Sequence, residues 1–214
     1  MPKRAATLAP QRTAKATTAL PRSWPDNIGY ITEPVYSTTL CAENLQLLNA
    51  KPVSIPAIPS SSGPCPRVRI TLITSLSHPA YGQHGLFAAQ HLVPDSFVLF
   101  YLGFVHGEAD SDPCSNYDLS LDRELGVGVD ATKMGNEARF TNDYRGVNSF
   151  GPNAEFKEVW VHRGIGRYEK RMAVYVLPAG KSGKRAKGIG KGEEILVSYG
   201  KGFWREHSSD GTDK

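Results

Sequence analysis

Cysteine is scarce: the 214 residues hold three, Cys41, Cys65 and Cys114, too few and too scattered for a zinc cage or a disulfide framework. No apolar secretory leader precedes them, so free thiols in a reducing compartment are expected and no metal is. Long hydrophobic runs are missing too. The longest apolar stretch, Phe97–Val105, is about half of the roughly 20 residues a membrane helix needs, so no membrane partner is expected. Acid is lacking at the start of the chain, where Lys3, Arg4, Arg12, Lys15 and Arg22 precede the first carboxylate at Asp26. Proline and glycine, by contrast, are plentiful at 15 and 21 residues; they punctuate the chain with turns and argue against a helical bundle.

What remains suffices for one core. With 40% hydrophobic and 21% charged residues, the chain reads as a single domain with appendages, since one core usually occupies about 100–200 residues. Residues 1–23 mix Ala, Thr, Pro and basic side chains without periodicity and bury too little apolar surface to offset their ordering entropy. They read as a disordered basic tail. Its role is open between a solubilising extension, nuclear targeting or nucleic-acid contact, and a mitochondrial transit segment, although Pro2, Pro10 and Pro21 interrupt the amphipathic helix a transit segment needs.

Residues 24–66 read as a lead-in. Leu40, Cys41, Leu45, Leu47 and Leu48 follow helical spacing within Ser37–Asn49, and Pro52–Pro66 reads as a Pro/Ser/Gly linker. The main domain spans 67–205, and 206–214 form a second disordered tail. Within the domain, Val68, Ile70 and Leu72 alternate with polar partners, and Met172, Val174 and Val176 alternate with Ala173, Tyr175 and Leu177. Phe97–Val105 and Glu193–Ser198 join them as extended runs, and Gly135–Thr141 reads as a helical turn. No repeat and no strand–helix series appears, which disfavours a doubly wound sheet. A mostly β assembly of several small sheets is predicted.

Several common motifs fail. Ala179-Gly-Lys-Ser182 mimics the end of a phosphate loop, but Tyr175 stands where the first glycine is required. Gly126-Val-Gly-Val-Asp130 lacks the third glycine of a dinucleotide fingerprint. The six histidines form no His-Glu-x-x-His pair and read as surface or structural, and no Gly-x-Ser-x-Gly elbow is present.

Four segments keep a fixed order: Tyr81-Gly-Gln-His-Gly-Leu-Phe-Ala88, Tyr101-Leu-Gly103, Asp130-Ala-Thr followed by Gly135-Asn-Glu-Ala-Arg-Phe-Thr-Asn142, and Gly192-Glu-Glu-Ile-Leu-Val-Ser-Tyr-Gly200. Together they resemble the SET-domain family of protein lysine methyltransferases over roughly Ile70–Trp204. The resemblance implies a SET-type fold in which the last strand threads beneath an asparagine-bearing loop as a C-terminal pseudoknot, with S-adenosyl-L-methionine as cofactor. Pro152-Asn153 is similar to the end of the family's Asn-His-x-Cys-x-Pro-Asn signature, displaced by an inserted Gly146–Gly151. Asp143 occupies its histidine position and Arg145 its cysteine position.

The resemblance also implies site residues. Tyr199 is similar to the active-site tyrosine and Tyr101 to a tyrosine lining the lysine channel, with core packing the alternative for each. Gly85, Leu86 and Phe87 are similar to the stretch whose backbone cups the cofactor's methionine part. Arg139-Phe140-Thr141-Asn142 is similar to the segment contacting its adenine and amino-acid ends. For Phe140 the core reading holds, and for Arg139 a salt bridge under the site is as good a reading as a cofactor contact. Tyr117 and Phe203 are weaker candidates for walls near the cofactor, and Lys201–Trp204 for closing the channel in place of the cysteine-rich modules of many relatives.

The implied activity is S-adenosylmethionine-dependent N-methylation of a protein lysine, histone or non-histone, in the nucleus, with cytoplasm or mitochondrion as alternatives. A second reading is a SET-like module without turnover that binds a peptide or nucleic acid. Lys181, Lys184, Arg185, Lys187 and Lys191 form a glycine-interleaved basic loop. It is a candidate for phosphate contact, against the plain alternative of a solvated loop.

Overall fold

In a computed structural model describing residues 19–60, 63–180 and 187–200, the chain runs through β1 (Gly29–Tyr30), β2 (Val35–Tyr36), α1 (Ala42–Leu48) and β3 (Ala57–Pro59). It continues through β4 (Val68–Leu72), β5 (His84–Ala88), β6 (Phe97–Tyr101) and β7 (Phe104–His106), then β8 (Asp118–Asp122), β9 (Val127–Asp130) and β10 (Met134–Gly135). The last elements are β11 (Asn142–Asp143), β12 (Ala154–His162), β13 (Tyr168–Val176) and β14 (Leu196–Val197), with 3-10 turns at Glu108–Asp110 and Glu137–Phe140. The fold is mostly β, as predicted. No helix among the described residues is long and apolar enough to cross a membrane.

The strands make small sheets: β3-β12-β13-β6, β2-β7-β9-β8, and the pairs β4-β5, β1-β10 and β11-β14. β12 and β13 form an antiparallel hairpin in unbroken register from Ala154↔Val176 to His162↔Tyr168. Gly164 and Gly166 close it at φ 115° and 67°, a region that side chains with a Cβ rarely enter. In β4, Val68 and Ile70 face inward while Arg69 faces solvent, the period-2 pattern of a half-buried strand.

The run Phe97–Val105 is two strands, not one, because Gly103 bends the chain between β6 and β7. A Cβ there would sit 2.4 Å from the Asp130 carbonyl oxygen, so only glycine fits. The outer edge of β6 is capped by side chains: Arg67 Nη1 donates to the Phe97 carbonyl at 2.7 Å, and Asn136 Nδ2 to that of Phe100 at 2.8 Å. Asn136 Oδ1 accepts the Leu102 N–H. These contacts satisfy buried backbone groups that a missing neighbour strand would leave orphaned.

The lead-in is woven into the same body. β1, β2 and β3 each pair in parallel with β10, β7 and β12, so the stretch Pro52–Pro66, which reads as a linker, contributes an edge strand. Pro56 and Pro59 hide it from a periodicity search. α1 is shorter than Ser37–Asn49, beginning after Cys41, whose Sγ accepts the Asn44 N–H. The principal core gathers Leu86, Val98, Val105, Val127, Val174, Ile195 and Val197, and a smaller cluster holds Phe100, Leu102, Val159, Val161 and Ala173. Residues 1–18 and 201–214, which include most of the basic tail, Phe203 and the 206–214 tail, lie outside the described residues, as do Lys181, Lys184 and Arg185.

Candidate functional site

The C-terminal segment is gripped on two sides by one loop. On one side β14 runs parallel to β11, Asn142 beside Leu196 and Asp143 beside Val197, and the Tyr144 N–H donates to the Val197 carbonyl at 2.9 Å. On the other, Asn153 Nδ2 donates to the Glu194 carbonyl and its Oδ1 accepts the Leu196 N–H, both at 2.8 Å, while the Asn153 N–H reaches the Leu196 carbonyl at 3.0 Å. Residues 194–199 thus pass between the two limbs of the 142–153 loop, the threaded arrangement the resemblance implies.

Threading brings Asn142 and Tyr199 to the wall of one cavity of about 510 Å³. Arg139, Phe140 and Tyr117 share that wall. The Tyr199 hydroxyl donates to the Thr141 carbonyl at 2.8 Å, and its backbone N–H donates to Asp143 Oδ2 at 2.7 Å. Burial first, and then the charge of Asp143, push the Tyr199 phenol far above its ordinary range, so it is neutral throughout the physiological range. The Arg139 Nε donates to the Ala131 carbonyl at 3.0 Å, and the guanidinium lies 4.2 Å over the Tyr117 ring. Arg139 therefore braces an aromatic wall; of the two readings of this residue, the salt bridge is not found among the described residues.

Gly85, Leu86, Phe87 and Tyr101 are not among the residues that line this cavity. Tyr101 is buried, its hydroxyl donating to the Tyr117 carbonyl at 2.7 Å and its ring edge-on to Phe156; burial pushes its phenol up as well. It holds the Tyr117 segment from the rear. Leu86 is fully buried. Gly85 matters through what it leaves room for: a Cβ there would sit 2.5 Å from Glu194 Oε1 and 3.1 Å from Asn142 Nδ2.

That space holds a polar relay. Asn142 Nδ2 donates to Glu194 Oε1 at 2.8 Å, and Glu194 Oε2 meets His78 Nε2 at 3.0 Å. His78 Nδ1 accepts the Ala80 N–H, which puts the imidazole proton on Nε2 as a donor to Glu194. With its amide nitrogen committed to Glu194, Asn142 has its acceptor oxygen oriented by the same contact. His78 and Glu194 are both nearly closed to solvent, as a satisfied buried pair should be.

Sequence reasoning missed part of the wall. Pro25, Asn27 and Ile28 line the cavity from the lead-in, where Trp24 packs edge-on against Phe140 with ring centroids 5.7 Å apart and donates Nε1–H to the Ile28 carbonyl. A lone tryptophan in a polar stretch was the available signal. His78 and His84, read as surface or structural, also line it; His84 lies within the Tyr81–Ala88 segment, which assigns it no role, and no motif announces His78. Asp143 and Arg145 read as departures, and the contact of Asp143 with Tyr199 appears only once the chain is threaded.

No protein-family model and no curated protein matches the chain. Among solved structures it is similar to the polycomb repressive complex 2 of Chaetomium thermophilum, at TM-score 0.45 and 24% identity over 62% of this chain and 15% of that one. It is similar also to the same complex in an autoinhibited conformation bound to S-adenosylmethionine, at TM-score 0.45 and 22% identity over 66% of this chain and 16% of that one. The chain spans less than a fifth of those chains. Likeness at this level carries no argument for activity, and the functional reading rests on the site.

Proposed function

We propose that the chain is an S-adenosylmethionine-dependent protein-lysine N-methyltransferase of the SET type. The observation that carries the reading is the convergence of the Tyr199 phenol and the Asn142 amide, 57 positions apart in sequence, on one cavity beside a threaded C-terminal segment. The lining suits the cofactor. Its volume lies within the roughly 300–1,000 Å³ of small-molecule sites, and Pro25, Ile28, Pro79 and Phe140 offer apolar walls for a heteroaromatic ring. Asn116 and Asn142 would hold its polar ends. Arg145 is ion-paired with Asp143 at 2.7 Å, so the wall does not confront a sulfonium with an uncompensated cation at that point. When bound, the cofactor supplies an electrophilic methyl for in-line transfer to an amine.

The residues have defined tasks. A lysine amine at pKa about 10.4 is charged at neutral pH, and removing its proton costs about 4–5 kcal/mol. The neutral Tyr199 cannot serve as a phenolate base, and its own proton goes to the Thr141 carbonyl. Its oxygen therefore serves the substrate as an acceptor that aligns the amine, while the lysine proton leaves to water. Desolvation by the Tyr117, Phe140 and Tyr199 rings lowers the lysine pKa and shares that cost. Histone and non-histone proteins are both candidate substrates, and a chromatin substrate would place the protein in the nucleus.

The Asp143–Arg145 pair at the family's histidine and cysteine positions favours a second reading, a SET-like module without turnover that binds a peptide or nucleic acid. Methyl transfer to mixed histones and cell extract separates the two. Tyr199→Phe should lower transfer about 100-fold or more, the scale of losing one well-placed orienting group. Saturable cofactor binding with no transfer from the unaltered protein would favour the module instead.

A further inference from the structure

Asp143 and Arg145 form a device that the lysine methyltransferase resemblance does not account for. We propose that Asp143 is a positioning residue for Tyr199, with Arg145 holding the carboxylate in place; the inference deepens the transferase reading and rests on it. Asp143 Oδ2 accepts the Tyr199 backbone N–H and an Arg145 Nη1 hydrogen, each at 2.7 Å. Its Oδ1 accepts the Arg145 backbone N–H at 2.8 Å. The Asp143 side chain is only 5% exposed, and burying a carboxylate is costly unless a hydrogen-bonded partner offsets it. Arg145, on the cavity wall, is that partner.

The geometry fixes the phenol at both ends. Asp143 takes the backbone N–H of Tyr199 while the Thr141 carbonyl, two residues earlier on the same loop, takes its hydroxyl. Without the carboxylate the ring keeps its tip but loses its root, and it can pivot about the hydroxyl. A neutral histidine has one acceptor nitrogen and could not receive the three N–H groups this carboxylate receives. Asp143 with Arg145 is thus a different solution to the placement of the same ring.

The test places 3-fluorotyrosine at position 199 of the full chain and records its fluorine resonance and the transfer kinetics. Asp143→Ala should shift or broaden the resonance and lower kcat about tenfold or more, the scale of a lost hydrogen bond to a charged group, and the KM for S-adenosylmethionine should rise as well, because Arg145 on the cavity wall loses its counter-charge. Asp143→Asn keeps an acceptor oxygen, so it should restore the resonance and most of kcat. A native resonance and native kcat in Asp143→Ala would overturn the proposal. Should Asp143→Ala fail to fold, hydrogen exchange of the Tyr199 amide in Arg145→Ala decides, since the carboxylate then loses the Nη1 contact that holds it: exchange about tenfold faster supports the proposal, and unchanged exchange overturns it. If the unaltered protein transfers no methyl group, the transferase reading fails, and the fluorine and exchange measurements still decide whether Asp143 positions Tyr199.

Discussion

The β12–β13 hairpin and the crossing of residues 142–153 with 194–199 hold together by different physics. The hairpin has nine paired residues per strand in continuous register, and its inward faces bury Val159, Val161, Ala173 and Val174. Backbone ladder and apolar burial stabilise it, and both are spread over many residues. The crossing has two-residue strands. It depends on side chains that reach backbone: Asn153 to residues 194 and 196, Asp143 to residue 199. Such contacts are few and directional, so each carries a large share of the geometry. Regular structure supplies the platform, and irregular structure supplies the site.

Asn153→Ala should break that contrast most strongly. It strips partners from the Glu194 carbonyl and the Leu196 N–H, and each unsatisfied buried group costs about 1–3 kcal/mol. Denaturant unfolding should report a loss of about 2–6 kcal/mol, and cofactor affinity should fall with it. In the hairpin, Met172→Ala should cost about 2–3 kcal/mol, toward the low end for large-to-small core changes because methionine sites collapse readily. Cofactor affinity should stay within a few-fold. If both variants lose binding equally, the two regions are not separable.

Gly85→Ala tests the relay behind Asn142. The added methyl would press on Glu194 Oε1 and Asn142 Nδ2, so cofactor affinity should drop about tenfold, matching one disturbed charge-assisted hydrogen bond. The melting temperature should move little. Native affinity would show that the Asn142–Glu194 contact is dispensable.

Of the hairpin only β13 was legible in the sequence, because alternation needs only local information; Ala154–His162 did not read as a strand. Val174 and Val176 announce an inward face whatever they pack against. The threaded crossing was legible only through motif order: Asn142, Pro152-Asn153 and Tyr199 were recognisable by resemblance, while no periodicity marks a two-residue strand. Asp143 was visible as a departure but not as a ligand of the Tyr199 amide, since that bond joins residues 56 positions apart. Tyr101 reads the same in sequence whether its hydroxyl faces a channel or a carbonyl, and here it meets the Tyr117 carbonyl. The cavity wall formed by Asn27 and Ile28 follows from the packing of Trp24 on Phe140, a long-range contact without a local signature.

The smallest expected effect lies away from both regions. His106 is buried, with Nε2 3.1 Å from Asp118 Oδ2 and Nδ1 donating to the Gly107 carbonyl at 3.0 Å. Burial opposes its charge, but the Gly107 carbonyl and Asp118 outweigh it and raise the imidazole pKa above its usual value. A raised folded-state pKa stabilises fully below the unfolded value of about 6.5, and the contribution is lost as pH rises through the folded value. Unfolding free energy should therefore decline gently as pH rises above about 6.5. His106→Gln should flatten that decline without changing cofactor affinity; an unchanged slope would assign it to another group.

Calorimetric titration of the full chain with S-adenosylmethionine, unaltered and as Asn142→Ala, tests the central claim most directly. Saturable one-to-one binding is predicted, weakened at least tenfold in the variant, which should stay folded at the titration temperature although the loss of the Asn142 donor to the buried Glu194 carboxylate lowers its melting temperature. Absence of binding by the unaltered chain, or equal affinity in the two proteins, would contradict it.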